Sequence, residues 1–566
     1  MNRSLSATTR DLLLILLSAL VIIGAGIGLR NPWPADEPVY ALLARDMLAT
    51  GDWLIPLMGG DFFQDKPPFM MWLQAVFYIV TGSEKVGFLL PSLLAGLGTL
   101  ALIYDLGRRM WNREAGIYAA AILLFTVQFT LQSRRGQQDA LLMFFTVLSL
   151  YCLLRQLLLG GGWRWLVGAG LAAGLGALTK VVGFLSFMVL APWLFAVWRG
   201  WPGVKWQTPI IPWMLVSALA CVLVTGFWLL PIWLQARHDP VVADYFRELV
   251  ITQTYGRYVE PWHHYQPPWY YLQTMATAWL PLTALLPWLV PQWRAALRQR
   301  DVRVLLPVGF VVLYVLFFTL SSGKREMYIL PALPMLALPA GYLLPQLLRR
   351  VGVQRVFSTL LLIVAFAAAG GAIWLRLIDP ARGAQLLAEG GVSSVAPLIV
   401  LAVVALGALA WFRWERAHLA FATMMAAAWL IAGFWVFPQM DGERSASNFI
   451  TRLEQMAAPD RELGLLAYHE HFLWNITRPS VNFGHRRFRE GDAEIFDAAA
   501  WLAAAPNRQL LVQEEMLHPC FDTATAREVG ESSRGLWYLV EGSPDPSCAA
   551  KGDLSHVLHY APHGGQ

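Results

Sequence analysis

Charge is what this sequence has least of. Only 14% of its 566 residues are Asp, Glu, Lys or Arg, against 57% hydrophobic, and the mean hydropathy is +0.47. Soluble domains carry about a quarter charged residues, so that class is excluded. Cysteine is scarce as well, with four residues, which rules out a disulfide-built scaffold. No basic run interleaved with aromatics is present, and with it goes a nucleic-acid partner. No internal repeat and no matched pair of interrupted apolar segments is visible, which argues against a transporter. No small-residue cleavage site follows the first apolar run, so that run is expected to stay as a span rather than be removed as a signal.

What the chain has instead is length of apolar sequence. Runs of about 17 to 25 apolar residues cross a bilayer, and thirteen are expected, near 11–29, 84–107, 114–133, 138–159, 164–179, 181–198, 209–235, 269–290, 303–321, 327–346, 356–377, 395–412 and 418–438. Arginines such as Arg108, Arg109, Arg294, Arg298, Arg349 and Arg350 fall in alternate short loops. By the bias of basic residues towards the cytoplasm, the N-terminus lies inside and the C-terminus outside. The net charge of +5 is explained by those loops. The exceptions are the cations left on the outer side: Arg134 and Arg135, Arg257, Lys324 and Arg325, and Lys180, to which no role is given. Positive charge held there calls for an anionic partner, for which phosphate is the natural candidate.

The chain is organised around Trp33–Glu84, which follows the first run at once. It carries Asp36, Glu37 and Tyr40, then Gly51-Asp52-Trp53, then Asp65-Lys66-Pro67-Pro68 and Trp72. Acids and a lysine kept where chain meets bilayer point to a site, although a Trp- and Tyr-anchored interfacial loop would share the composition. Asp139 opens the fourth run, either as a carboxylate favoured at a helix N-terminus or as a second acid facing the same cavity. The second large outer loop, 236–268, is dense in aromatics suited to a sugar or lipid cleft. Its His263-His264 pair has no further ligand beside it. Lys324, Arg325 and Tyr328 at the start of the tenth run again suit a phosphate.

From Asp441 the composition changes to short alternating runs. Strands are expected over 462–468, 509–512 and 535–540 and a helix over 493–505. Residues 1–440 are therefore expected to form an all-α polytopic membrane domain with external loops 30–83 and 236–268, and 441–566 a small α/β domain on the outer side. Cys520 and Cys548, alone outside the runs, can pair in an oxidising compartment.

The motifs Asp36-Glu37 with Tyr40, Gly51-Asp52-Trp53, Lys66-Pro67-Pro68 with Trp72, Asp139, Gly256-Arg257-Tyr258, Pro267-Pro268-Trp269-Tyr270-Tyr271 and Tyr328-Ile329-Leu330-Pro331 resemble the GT-C membrane glycosyltransferases. The resemblance is strongest to the protein-mannosyltransferase-like branch that includes bacterial lipid A aminoarabinose transferases. It implies a multi-pass enzyme of the inner membrane, acting as a monomer. The donor would be a sugar on polyprenyl phosphate and the acceptor lipid A or another envelope molecule, protein included. Asp36, Glu37 and Asp139 would be the catalytic acids. Lys66, Arg257, Tyr328 and Tyr40 would line the donor phosphate, with Lys324 and Arg325 behind them. No second carboxylate stands out as a covalent nucleophile, so direct displacement with inversion is expected. No cofactor is required by the motifs. A divalent metal is left open, with Asp65 its one candidate ligand or else a partner of Lys66. Val39, Asp65 and Thr252-Gln253 depart from the family pattern and leave the metal, the sugar and the acceptor open.

Overall fold

The computed structural model describes residues 6–204, 206, 210–250, 265–485, 487–518, 520–524 and 526–562. Among them, nine helices are long and apolar enough to cross a membrane, from Ala7–Gly24 to Trp414–Met456. Two further pairs each make one bent span. Arg113–Leu124 and Val127–Ser133 meet at 71°, and Tyr270–Ala278 and Thr283–Arg298 at 94° around Pro281, where a proline cannot continue the helical ladder. Trp163–Thr179 and Ala396–Phe412 are helices of 17 residues each. Every apolar run expected from the sequence is thus helical, and the chain is a multi-pass membrane protein.

The runs pack by small residues as well as large. A Cβ on Gly170 would stand 2.0 Å from the Ser217 carbonyl oxygen, so helices Trp163–Thr179 and Ile210–Ala236 approach backbone to backbone, a contact that substitutes for hydrophobic drive inside lipid. The opposite face of Ile210–Ala236 leaves Leu215, Val222, Leu223 and Phe227 exposed, as a lipid-facing surface requires. The first span ends without a capping side chain. Its terminal carbonyls, Ile22 and Ala25, instead accept from the Arg134 guanidinium, which satisfies acceptors a helix end would otherwise leave open. Arg134 is therefore a strut and not a phosphate ligand.

Between the first two spans the chain forms helix Glu37–Thr50, the short antiparallel strands β1 (Leu57–Met58) and β2 (Asp61–Phe62), and helix Phe69–Thr81. The C-terminal domain carries six strands, β3 (Glu462–Leu465), β4 (Ser480–Asn482), β5 (Arg508–Gln513), β6 (Arg527–Ser532), β7 (Gly535–Glu541) and β8 (Leu558–Tyr560). Their order is β6-β7-β5-β3-β4-β8, with β3 parallel to β4 and β5 and the other pairs antiparallel. Helix Ala493–Ala503 covers one side through Trp501 and Leu502, and a disulfide joins Cys520 to Cys548.

The domain does not hang free of the bundle. Leu42, Leu43 and Met47 of helix Glu37–Thr50 share one buried cluster with Leu473, Trp474 and Trp537. Arg45 donates to the Trp474 carbonyl at 3.0 Å and lies 3.8 Å over its ring. The helix that begins at Asp36 is therefore held between the spans and the sheet.

Candidate functional site

Asp36 stands immediately before helix Glu37–Thr50, on the side of the bundle that carries the α/β domain. Its carboxylate accepts from Arg325 Nη2 at 2.7 Å. Burial pushes the Asp36 carboxyl up, but the positive charges of Lys66, Arg325 and Lys180 outweigh it and bring it down to about 2. Burial likewise opposes charge on Arg325, and Asp36 reverses that and raises it above the usual guanidinium range. Lys66 comes to this point by a short, stiff route, since Pro67 and Pro68 lead directly from it into helix Phe69–Thr81. One turn along the helix from Asp36, Tyr40 is buried on the same helical side.

A second acid joins from the fourth span. Asp139, in the first turn of helix Gln138–Leu157, accepts from Lys180 Nζ at 3.1 Å. Lys180 ends helix Trp163–Thr179 and lies 4.4 Å from the centroid of the Tyr328 ring, a cation–π contact. Tyr328 belongs to the 3-10 turn Glu326–Ala332, directly after Arg325. Asp36, Lys66, Asp139, Lys180, Arg325 and Tyr328 thus form one cluster, drawn from four separated stretches of chain. Two carboxylates face three cations. An anion entering beside them meets positive charge already oriented, in a partly buried setting where such charge acts more strongly than in open water.

Two of the expected residues are turned to other work. Glu37 sits next to Asp36 but is buried in a different network. Its carboxylate accepts from Arg30 at 2.5 and 2.7 Å, from the Trp33 N–H at 2.9 Å and from the Gly136 N–H at 2.9 Å. All of its acceptor capacity is taken, and it ties the loop to the start of the fourth span. Lys324 donates to the Gln266 carbonyl at 3.2 Å, and burial lowers its ammonium below the usual lysine range. Arg257 and His263-His264 lie outside the described residues. Among those described, no three His, Cys, Asp or Glu side chains are grouped to hold a metal ion, Asp65 included.

Lys180 was the residue that sequence reasoning passed over. Its signal was a lysine between two apolar runs, but its partners are 41 and 148 positions away, and nothing local to it names them.

Residues 65–228 match the family model described as dolichyl-phosphate-mannose-protein mannosyltransferase. The undecaprenyl phosphate-alpha-4-amino-4-deoxy-L-arabinose arabinosyl transferase of Pseudomonas paraeruginosa is 33% identical over 414 residues, 70% of either chain. The protein of the same name from Pseudomonas aeruginosa is 34% identical over 333 residues. That alignment spans 56% of each chain, little more than half the relative's length. The crystal structure of ArnT from Cupriavidus metallidurans bound to undecaprenyl phosphate superposes with a TM-score of 0.73 at 19% identity, over 94% of this chain and 98% of that one, and shows the fold to be the same. With a third of its residues identical across 70% of both chains, the protein belongs to the family of undecaprenyl phosphate-alpha-4-amino-4-deoxy-L-arabinose arabinosyl transferases.

Proposed function

We propose that the protein moves 4-amino-4-deoxy-L-arabinose from undecaprenyl phosphate to a phosphate of lipid A, at the periplasmic face of the inner membrane. The observation that carries this is the cluster of Asp36 and Asp139 with Lys66, Lys180 and Arg325, together with the sequence relationship. The arginine-rich loops argue that the opposite face is cytoplasmic. The periplasm has no nucleotide sugars, so a donor there arrives attached to lipid.

In the reaction the bond from the anomeric carbon to the donor phosphate oxygen breaks, and its electron pair stays on undecaprenyl phosphate. Lys66, Arg325 and Lys180 lie where that charge grows and stabilise it. An oxygen of the acceptor forms the new bond from the opposite side, which inverts the anomeric centre. Asp36, ionised at every working pH with its carboxyl near 2, is a weak proton acceptor and a good orienting charge. That favours an acceptor already ionised, a phosphate, over a serine hydroxyl that must lose a proton. Asp139 holds Lys180, and Glu37 holds the loop. Arg257 and Tyr40 are assigned to the donor side on the family motif. The protein works as a monomer on this reading, with 1–440 the catalytic unit and 441–566 its periplasmic companion.

Purified protein given lipid-linked aminoarabinose and lipid A tests the proposal. The expected products are undecaprenyl phosphate and a glycosyl phosphate of inverted configuration by NMR. Transfer to a peptide hydroxyl but not to lipid A would replace the acceptor assignment. Retained configuration would replace the displacement.

A further inference from the structure

Among the described residues, the α/β domain contributes no side chain to the acid–cation cluster, yet it grips the segment that carries Lys66. The grip is at the β1–β2 hairpin. Phe63 N–H donates to the Pro56 carbonyl at 2.8 Å and closes it. Asn482, the last residue of β4 and fully buried, donates through Nδ2 to the Gly59 carbonyl at 2.9 Å. Its Oδ1 accepts from the Gly484 N–H at 3.2 Å, which fixes the amide's orientation. Three residues beyond Asn482, the His485 N–H donates to Asp61 Oδ2 at 3.0 Å. On its inner side the turn is held by Gly59 N–H to Asp46 Oδ2 at 3.3 Å.

The contact is close as well as polar. Gly59 has φ +59, and a Cβ there would meet Leu473 Cδ1 at 2.9 Å, Tyr468 Oη at 3.0 Å and Asn482 Nδ2 at 3.3 Å. All three belong to the α/β domain. From Phe63 only Gln64 and Asp65 intervene before Lys66, each residue reaching at most about 3.6 Å. On its other side Lys66 runs through Pro67-Pro68 into a helix that Trp72 ties down by donating to the Trp53 carbonyl at 2.8 Å. The lysine is strung between two fixed points, and one of them is set by the sheet.

We propose that the α/β domain is a clamp on this hairpin, with Asn482 a positioning residue that sets Lys66 against the donor phosphate. The inference rests on the reading of Lys66 as a phosphate ligand. Asn482 touches no substrate, so its action passes through Gly59 and the hairpin to the lysine.

The test is a double-mutant cycle on the full chain in detergent, with undecaprenyl phosphate as the probe and thermal melting as the control. Asn482→Ala should weaken binding by roughly five- to tenfold, the worth of one buried hydrogen bond. In a Lys66→Ala background the same change should cost under about twofold, because coupled sites are not additive. Equal losses in both backgrounds would overturn the clamp. Should Lys66→Ala itself leave binding unchanged, the reading of Lys66 fails, and the clamp with it. If Asn482→Ala does not fold, Gly59→Ala runs the same cycle from the hairpin side, with equal losses again overturning the proposal.

Discussion

Asp36 and Glu37 are adjacent carboxylates, and their removal should fail the protein in different ways. Glu37 and Arg30 have side chains 4% and 7% exposed, and Glu37 accepts four hydrogen bonds from three residues in two separate stretches of chain. Glu37→Ala leaves the Arg30 guanidinium buried without its anion, and breaking such a pair from one side costs about 3–5 kcal/mol. Asp36 is 22% exposed and Arg325 23%, so Asp36→Asn removes a partly solvated pair worth about 0–1 kcal/mol. It also removes a charge at the reacting centre, for which losses of about 10²–10³ in rate are ordinary. The assay is melting in detergent beside transfer per folded molecule. Glu37→Ala should melt markedly lower and yield less protein. Asp36→Asn should melt like the parent and transfer at about a hundredth of its rate or less. A Glu37→Ala protein that melts like the parent but transfers nothing would refute this division and return Glu37 to the chemistry.

Burial lifts the Asp46 carboxyl to about 7, despite the Gly59 N–H and the charge of Arg45, and its Oδ1 has no hydrogen-bond partner among the described residues. The unfolded chain gives up that proton near the ordinary 3.8, so stability falls as pH rises through the window from 4 to 7 and levels off above it. Asp46→Asn should flatten that slope and raise the melting midpoint at pH 8 while leaving it unchanged at pH 4. Lys180→Ala frees Asp139 and withdraws a cation from the cluster, so the rate should drop by about tenfold or more, with a higher donor KM, in a steady-state assay. Reducing Cys520–Cys548, which are 28 positions apart, should destabilise the α/β domain by about 3.5 kcal/mol from loop closure. Denaturant unfolding with and without reductant measures this.

The membrane fold was legible because bilayer thickness fixes the length of an apolar run, and each of the thirteen expected runs is helical. The bend of the third run at Phe125-Thr126 was not, since no proline marks it. In the α/β domain the strands at 462–465, 508–513 and 535–541 were found from their apolar alternation. Those at 480–482 and 558–560 are three residues each and owe their existence to pairing across the sheet, which no local pattern records. The hairpin 57–62 was missed for the same reason. At the site, the chain's order brought Asp36 and Lys66 into view because both lie in one loop. Glu37 looked equivalent to Asp36, as two neighbouring acids must in a sequence. Only the position of Arg30 and Gly136 separates a strut from a group facing the cations. The pairing of Lys180 with Asp139 depends on how two helices end, and Arg134 was read as a phosphate ligand because its true acceptors are backbone carbonyls, which every sequence has.

Transfer of aminoarabinose to lipid A through Asp36 is tested most directly by the lipid A mass spectrum of a host without its own aminoarabinose transferase, carrying this chain or its Asp36→Ala variant. A mass increment of aminoarabinose on lipid A is expected with the parent chain and none with the variant at equal membrane abundance. No increment with the parent chain, folded and in the membrane, would contradict the assignment of donor and acceptor. An increment that survives in the variant would contradict the role of Asp36.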